Sequence, residues 1–264
     1  MKIALTKMNQ AWEDKFQNMD ICNQISSQVS NHNIDLLIFP EMTLTGFTSQ
    51  TLRIAEDASC SASLLFFSEI ASTYNFAVVA GVVLRSNGIY QNLAVAHDAK
   101  GEKVSSYAKM HPFSPGGENC NITAGTSLSF FKYKGIRFAL TICYDLRFPV
   151  FWDALADKCD CIINIANWPA VRVGHWKTLL QARAIENQLY VIGVNRVGLD
   201  GNRLNYVESS YCFSPDGEEL NHIFVDSQFD IVEIDKENVL SCRKKFPVRN
   251  DIRRDLYREI LKVN

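Results

Sequence analysis

Long apolar runs of strand length constrain this chain most. Ile34 to Phe39 (I-D-L-L-I-F) stops at Pro40, and Phe76 to Leu84 (F-A-V-V-A-G-V-V-L) has no polar residue at all. Such runs are too short to be membrane helices and lack the alternation of a half-exposed strand, so they read as strands buried on both faces. Ile136–Ile142, Cys161–Ala166 and Tyr190–Asn195 read as further strands, and Met1–Lys7 as a first one. Between them lie helical patterns at Glu13–Val29, Ser63–Tyr74, Phe151–Ala156 and His175–Gln188. Buried strands alternating with helices imply a layered α/β domain. The turn signals Ser86-Asn87-Gly88, before a strand at Tyr90–Ala96, and Asp98–Gly101 add hairpins, as does Gly135 after a strand at Leu128–Tyr133. The sheets are therefore mixed. The two halves share an element order, which suggests two sheets packed face to face with helices outside. Tyr206–Val239 reads as mostly strand, with a turn at Ser214–Gly217, and Asn250–Leu261 as a charged helix.

At 264 residues with no Pro/Gly/Ser-rich linker, the chain reads as one domain, 1–264. The 27 Lys plus Arg nearly balance 29 Asp plus Glu, so nothing favours nucleic acid or an anionic membrane as partner. No apolar run reaches membrane-spanning length, and Met1–Thr6 turns polar too soon for a signal peptide. The eight cysteines are scattered, which suits free thiols in a cytoplasmic protein. Cys159-Asp160-Cys161 lacks the spacing of a common zinc knuckle and lies on an apolar strand pattern, so no metal is expected there.

Four chemistry-bearing residues stand at or near predicted strand ends, where active sites of α/β folds collect. Cys143, in L-T-I-C-Y-D-L-R-F-P, lies where a strand must turn and Pro149 can open a helix; a helix amide end there can stabilise a thiolate. Glu41 follows an apolar strand in F-P-E-M, where partial desolvation raises a carboxylate pKa toward that of a useful base. Lys109, in Y-A-K-M-H-P-F, can face developing oxyanion charge. Glu118 follows Pro115-Gly116-Gly117. Each has a plainer reading, as a loop carboxylate, a surface lysine or a buried structural thiol. His111 reads better as a hydrogen-bonded structural histidine than as the thiol's base. Hydrolysis of a carbon–nitrogen bond needs a nucleophile with its base, positive charge for the oxyanion, and an acid for departing ammonia.

The order Glu41, Lys109, Cys143, in these contexts, resembles the nitrilase (carbon–nitrogen hydrolase) superfamily over nearly the whole chain. Asn167–Ala170 (N-W-P-A), His175-Trp176, Leu179–Gln188 and Val191–Gly198 look like the ω-amidase branch. The resemblance implies an α-β-β-α sandwich of two mixed sheets. It implies that Cys143 attacks the amide carbon and forms a thioester, with Glu41 as general base and acid and with no metal or organic cofactor. Lys109 and the Tyr144 backbone N–H would stabilise the oxyanion. Glu118, seven residues before Gly125, takes the role of the second, positioning glutamate. The implied substrate is a small amide, 2-oxoglutaramate or 2-oxosuccinamate, whose remote carboxylate needs a cation; Arg147, Arg172 and Arg196 are candidates. The implied partner is a second copy of the chain, with the tail at about 246–264 at the interface. Alternatives are another amide, such as deaminated glutathione or an N-carbamoyl amine, a non-catalytic relative, or a redox sensor. The loops Thr43–Thr48, Pro112–Thr123 and Trp168–Gly174 decide the substrate. One departure stands out: Glu208 occupies a place usually held by a small residue, and reads as a rim residue.

Overall fold

The computed structural model describes residues 1–262; the last two residues of the 246–264 tail lie outside that range. The strands, in chain order, are β1 (Lys2–Thr6), β2 (Leu36–Ile38), β3 (Glu56–Asp57), β4 (Ala77–Ser86), β5 (Ile89–His97), β6 (Lys103–Ala108), β7 (Phe130–Tyr133) and β8 (Ile136–Ile142). They continue with β9 (Cys161–Ala166), β10 (Tyr190–Asn195), β11 (Gly198–Leu199), β12 (Asn205–Tyr206), β13 (Tyr211–Phe213), β14 (Phe224–Val225) and β15 (Phe229–Glu233). The helices are α1 (Lys15–Ser30), α2 (Thr51–Ile54), α3 (Ala62–Tyr74), α4 (Pro149–Ala156), α5 (Val173–Asn187), α6 (Lys236–Lys245) and α7 (Arg254–Leu261).

One sheet runs β14-β15-β1-β2-β4-β5-β6, with β3 beside β4; the other runs β13-β10-β9-β8-β7. Both are mixed. In the first, β1, β2 and β4 are parallel while β4-β5-β6 form antiparallel hairpins. In the second, β8, β9 and β10 are parallel and the edges antiparallel. The sandwich follows from strand periodicity. Ile3, Leu5, Leu36, Ile38, Ala77 and Val79 face a common core with Phe138, Leu140, Ile163 and Ile165 of the other sheet. Their neighbours Ala4, Leu37, Val78 and Ala80 face the opposite way, onto Cys22, Ile25 and Val29 of α1 and Phe67, Ile70 and Ala71 of α3. Trp152 and Leu155 of α4, with Trp176, Leu180 and Ala184 of α5, cover the outside of the second sheet. Helix, sheet, sheet and helix layers therefore stack as expected.

Tyr206–Val239 is less regular than the sequence suggests. It carries β13, β14 and β15 separated by loops, and α6 starts inside it at Lys236. Asp235 causes that start: its side chain accepts the Glu237 N–H at 3.1 Å and caps the helix. Glu237 in the first turn and Arg243, Lys244 and Lys245 in the last complement its dipole. Strand β6 also went unforeseen, because Lys103–Ala108 contains only two purely apolar side chains (Val104, Ala108) among its six residues. No described helix is long and apolar enough to cross a membrane.

Candidate active site

The parallel strands of both sheets end at one edge, and the expected residues meet there. β8 ends at Ile142, and Cys143 takes φ +45°, a left-handed conformation that costs a non-glycine residue about 1–3 kcal/mol. A short 3₁₀ turn over Cys143–Arg147 follows, and Pro149 opens α4. The strained turn is held by Asp145, which is fully buried. Its carboxylate accepts from Ile142 N–H (3.0 Å), His111 N–H (3.0 Å) and Tyr107 OH (2.8 Å), and lies 2.7 Å from His111 Nδ1. His111 also stacks on Phe148, with ring centroids 3.9 Å apart. His111 is thus bound to Asp145, in line with its structural reading. Through Asp145 the turn that carries Cys143 is tied to the segment carrying Lys109.

Lys109 follows β6 directly and is fully buried. Its ammonium lies 2.7 Å from Glu41 Oε1 and 2.7 Å from Glu118 Oε2. Asn92, inward on β5, donates from one amide nitrogen to both carboxylates at 2.8 Å. Glu118 also accepts the Phe113 N–H at 2.6 Å. The Asn167 N–H donates to Glu41 Oε2 at 3.0 Å, and its side-chain amide to the Glu41 carbonyl at 2.6 Å. Gln10 Nε2 reaches the carbonyls of Glu41, Met42 and Thr43 at 2.9–3.2 Å. Gly81 makes room for this loop: a Cβ there would stand 2.3 Å from Met42 N. Asn92, Asn167 and Gln10 were missed by sequence reasoning. Asn92 had a signal, a polar residue inside an apolar strand.

The electrostatics keep the proton on the thiol at rest and raise the basicity of the carboxylate that can receive it. Burial, then the nearby Glu41 charge, pushes the Cys143 thiol well above its usual pKa. The expectation that a helix amide end would hold a thiolate here is therefore corrected. The turn after Cys143 spans five residues, and burial beside two carboxylates and one ammonium outweighs it. Burial, with Glu118 repulsion, raises Glu41 despite Lys109. Lys109 stays protonated, because the two carboxylates overcome the burial that disfavours its charge. The resting pair is thus a protonated thiol with a carboxylate of raised basicity close by. The N–H of Tyr144, near the start of its helical turn, has no intrahelical acceptor.

Cys143 and Tyr144 line a cavity of about 480 Å³ with Phe113, Asn167, Trp168 and Tyr206, while Glu41, Lys109 and Glu118 lie behind the thiol. Arg147 and Arg172 line the cavity too. Arg196 does not: it is buried and donates to the carbonyls of Gln10, Val197 and Leu199. Glu208 lies outside the lining, two-thirds exposed, 3.4 Å from Lys7 Nζ, in line with a rim position. The stretch Asp200–Tyr206 forms part of the wall and was not foreseen. Among the described residues no three His, Cys, Asp or Glu side chains cluster as metal ligands.

The family model for carbon-nitrogen hydrolases matches residues 2–244. This chain belongs to the carbon–nitrogen hydrolase family. Its relatives include the "Hydrolase in agr operon" of Staphylococcus aureus, 30% identical over 98% of this chain and 100% of that one. They also include "Omega-amidase YafV" of Escherichia coli K12, at 31% over 95% and 96%. A "2-oxoglutaramate amidase" of Bacillus subtilis matches at 32% over 84% and 86%. Among solved structures, the CN-hydrolase superfamily protein XC1258 from Xanthomonas campestris superposes with TM-score 0.88 at 31% identity, covering 96% of this chain and 97% of that one. The resemblance of the sequence motifs and the fold thus point to the same family. As a carbon–nitrogen hydrolase with ω-amidase relatives, the protein is an amidase-type enzyme acting on carbon–nitrogen bonds.

Proposed function

We propose that this hydrolase is a thiol-dependent amidase that cleaves the terminal amide of 2-oxoglutaramate or 2-oxosuccinamate. The observation that carries it is Lys109 held 2.7 Å from both Glu41 and Glu118 behind a cavity-facing thiol. Cys143 attacks the amide carbon as Glu41 takes the thiol proton. The bond from sulfur to carbon forms, and the carbonyl π pair moves onto oxygen. Lys109 and the Tyr144 N–H stabilise that oxyanion. Glu41 returns the proton to the departing nitrogen, ammonia leaves, and a thioester remains. Water then attacks the thioester, its proton passing to Glu41; the carbon–sulfur bond breaks, Glu41 returns that proton to the sulfur, and the 2-oxo acid and the free thiol result. Glu118 keeps Lys109 in place. Every step is acyl or proton transfer.

The substrate rests on the activity for which the Bacillus subtilis relative is named and on two cavity arginines suited to a carboxylate. A silent relative would have no need of a buried Glu–Lys–Glu array, whose assembly requires desolvating three charges. Ammonia release from 2-oxoglutaramate, 2-oxosuccinamate, deaminated glutathione and an N-carbamoyl amine tests the reading. Preference for the first two is expected; preference for either of the others refutes the substrate class.

We also propose a homodimer in the cytoplasm. Eight free cysteines suit a reducing compartment. Tyr257, Ile260 and Leu261 of α7 are half or more exposed beside Val150 of α4, an apolar face suited to a second copy.

A further inference from the structure

Three side chains lining the cavity carry full charge: Arg147, Arg172 and Asp200. Asp200 is committed to its own loop, accepting from Asn202 N–H (2.8 Å), Leu204 N–H (2.9 Å) and Tyr206 OH (3.1 Å). The two guanidiniums are differently placed. Among the described residues neither is paired with a carboxylate. The Arg147 guanidinium lies over the Trp168 indole, 4.7 Å from its centroid, with Nη2 3.4 Å from His175 Nδ1. The Arg172 guanidinium stands 5.8 Å from the Phe113 ring centroid. Trp168 Nε1 donates to the Arg172 carbonyl at 2.8 Å, so the indole is fixed in relation to both arginines. A guanidinium resting on an aromatic face keeps its N–H edge free, and that fork matches a carboxylate.

The surroundings strengthen the same preference. Arg172 is the N-cap residue of α5, a helix of 15 residues with no side-chain cap and no acidic residue in its first turn. The positive end of that helix dipole is left uncompensated next to the guanidinium. Asp200 offsets at most one of the two arginine charges, so the cavity lining is net cationic, while the array behind the thiol holds two carboxylates and one ammonium. An amide with a carboxylate at its far end is drawn to one orientation: carboxylate to the arginines, amide to Cys143. Arg196, which the sequence offered on equal terms, is excluded by its three backbone carbonyl partners.

We infer that Arg172 is the residue that selects carboxylate-bearing amides, gripping the remote carboxylate with its free edge, and that Arg147, seated on Trp168, is the second arm of that grip. This rests on the proposed amidase reading for its reaction, but the binding it describes is separable from turnover.

The test compares wild type, Arg172→Met, Arg172→Lys and Arg147→Met on 2-oxoglutaramate and on butyramide, which is neutral. The expected result is a loss of kcat/KM on 2-oxoglutaramate that exceeds the loss on butyramide by on the order of 100-fold in Arg172→Met, carried by KM. Arg172→Lys recovers only part, because an ammonium lacks the fork. Arg147→Met shows a smaller bias in the same direction. A merely structural arginine would lower both substrates alike, and that result overturns the inference. A second readout uses 2-oxoglutarate as a probe that slows alkylation of Cys143 by iodoacetamide. Protection in wild type that disappears in Arg172→Met supports the grip even where 2-oxoglutaramate is not turned over, in which case the amidase reading alone fails. Equal protection in wild type and Arg172→Met overturns the grip whatever the enzyme hydrolyses.

Discussion

Replacing Lys109 by Met isolates what holds the active site together. The ammonium is fully buried between two carboxylates at 2.7 Å each, and the Met side chain fills similar space without charge. Removing one partner of a buried ion pair costs about 3–5 kcal/mol, because the other partner is left uncompensated. For a chain of this size about 4 kcal/mol corresponds to a fall in Tm on the order of 10 °C. The sign of the pH dependence follows from Glu41. Its pKa is already above the usual carboxylate value, through burial and Glu118, and Lys109 is the main group holding it down. Without Lys109 it rises further. A group whose folded-state pKa lies above its unfolded value contributes stability that is complete below the unfolded pKa and is lost as pH rises through the folded one. The Lys109→Met deficit is therefore small near pH 5 and largest near pH 8. Thermal unfolding followed by circular dichroism at both pH values reads this out. The double variant Lys109→Met with Glu118→Gln, which has one carboxylate fewer, recovers part of the loss at pH 8. A deficit that is the same at both pH values, or no deficit at all, would mean that Lys109 is not the countercharge on which the two buried carboxylates depend.

Other consequences follow from the same geometry. Gly81→Ala places a Cβ 2.3 Å from Met42 N, so the Glu41 loop must shift; overpacking of this kind costs about 1–3 kcal/mol, and kcat should fall by more than the stability loss explains. Steady-state kinetics beside urea unfolding check that difference. The acid limb of kcat/KM should lie above the ordinary carboxylate range, since Glu41 must be ionised to accept the thiol proton and burial raises its pKa; a pH profile with its acid limb at or below pH 4 would contradict this. Ile260→Asp puts a charge on the exposed apolar face of α7, and sedimentation should show dimer for wild type and monomer for the variant.

Much of the architecture was legible because the central strands are buried on both faces. Apolar runs such as Phe76–Leu84 and Cys161–Ala166 mark their own ends, and Glu41 and Cys143 were found by standing just beyond such ends. What escaped depends on pairing rather than on local pattern. Asn92 sits in the middle of β5, and only the β5–β6 register, in which Lys109 N–H donates to the Asn92 carbonyl at 2.9 Å, brings its amide to the two glutamates. Asn167 reaches Glu41 across 126 positions of sequence, because β9 ends beside the loop that follows β2. Charge balance escaped for the same reason. From the motif alone Cys143 looked set to be a thiolate at a helix start, but burial keeps it protonated, helped by Glu41, which follows β2 of the other sheet. Likewise three arginines looked equivalent until burial and backbone carbonyls removed Arg196.

The proposed reaction passes through a thioester between Cys143 and the substrate acyl group. The most direct test mixes enzyme with 2-oxoglutaramate, quenches in acid within the first turnover, and reads the intact mass of wild type and Cys143→Ala. Wild type should carry the 2-oxoglutaryl increment, localised by digestion to the peptide containing Cys143 and released by hydroxylamine. Cys143→Ala should show no increment and release no ammonia. Ammonia released by Cys143→Ala at the wild-type rate, or an acyl group carried by any other residue, would contradict that reaction.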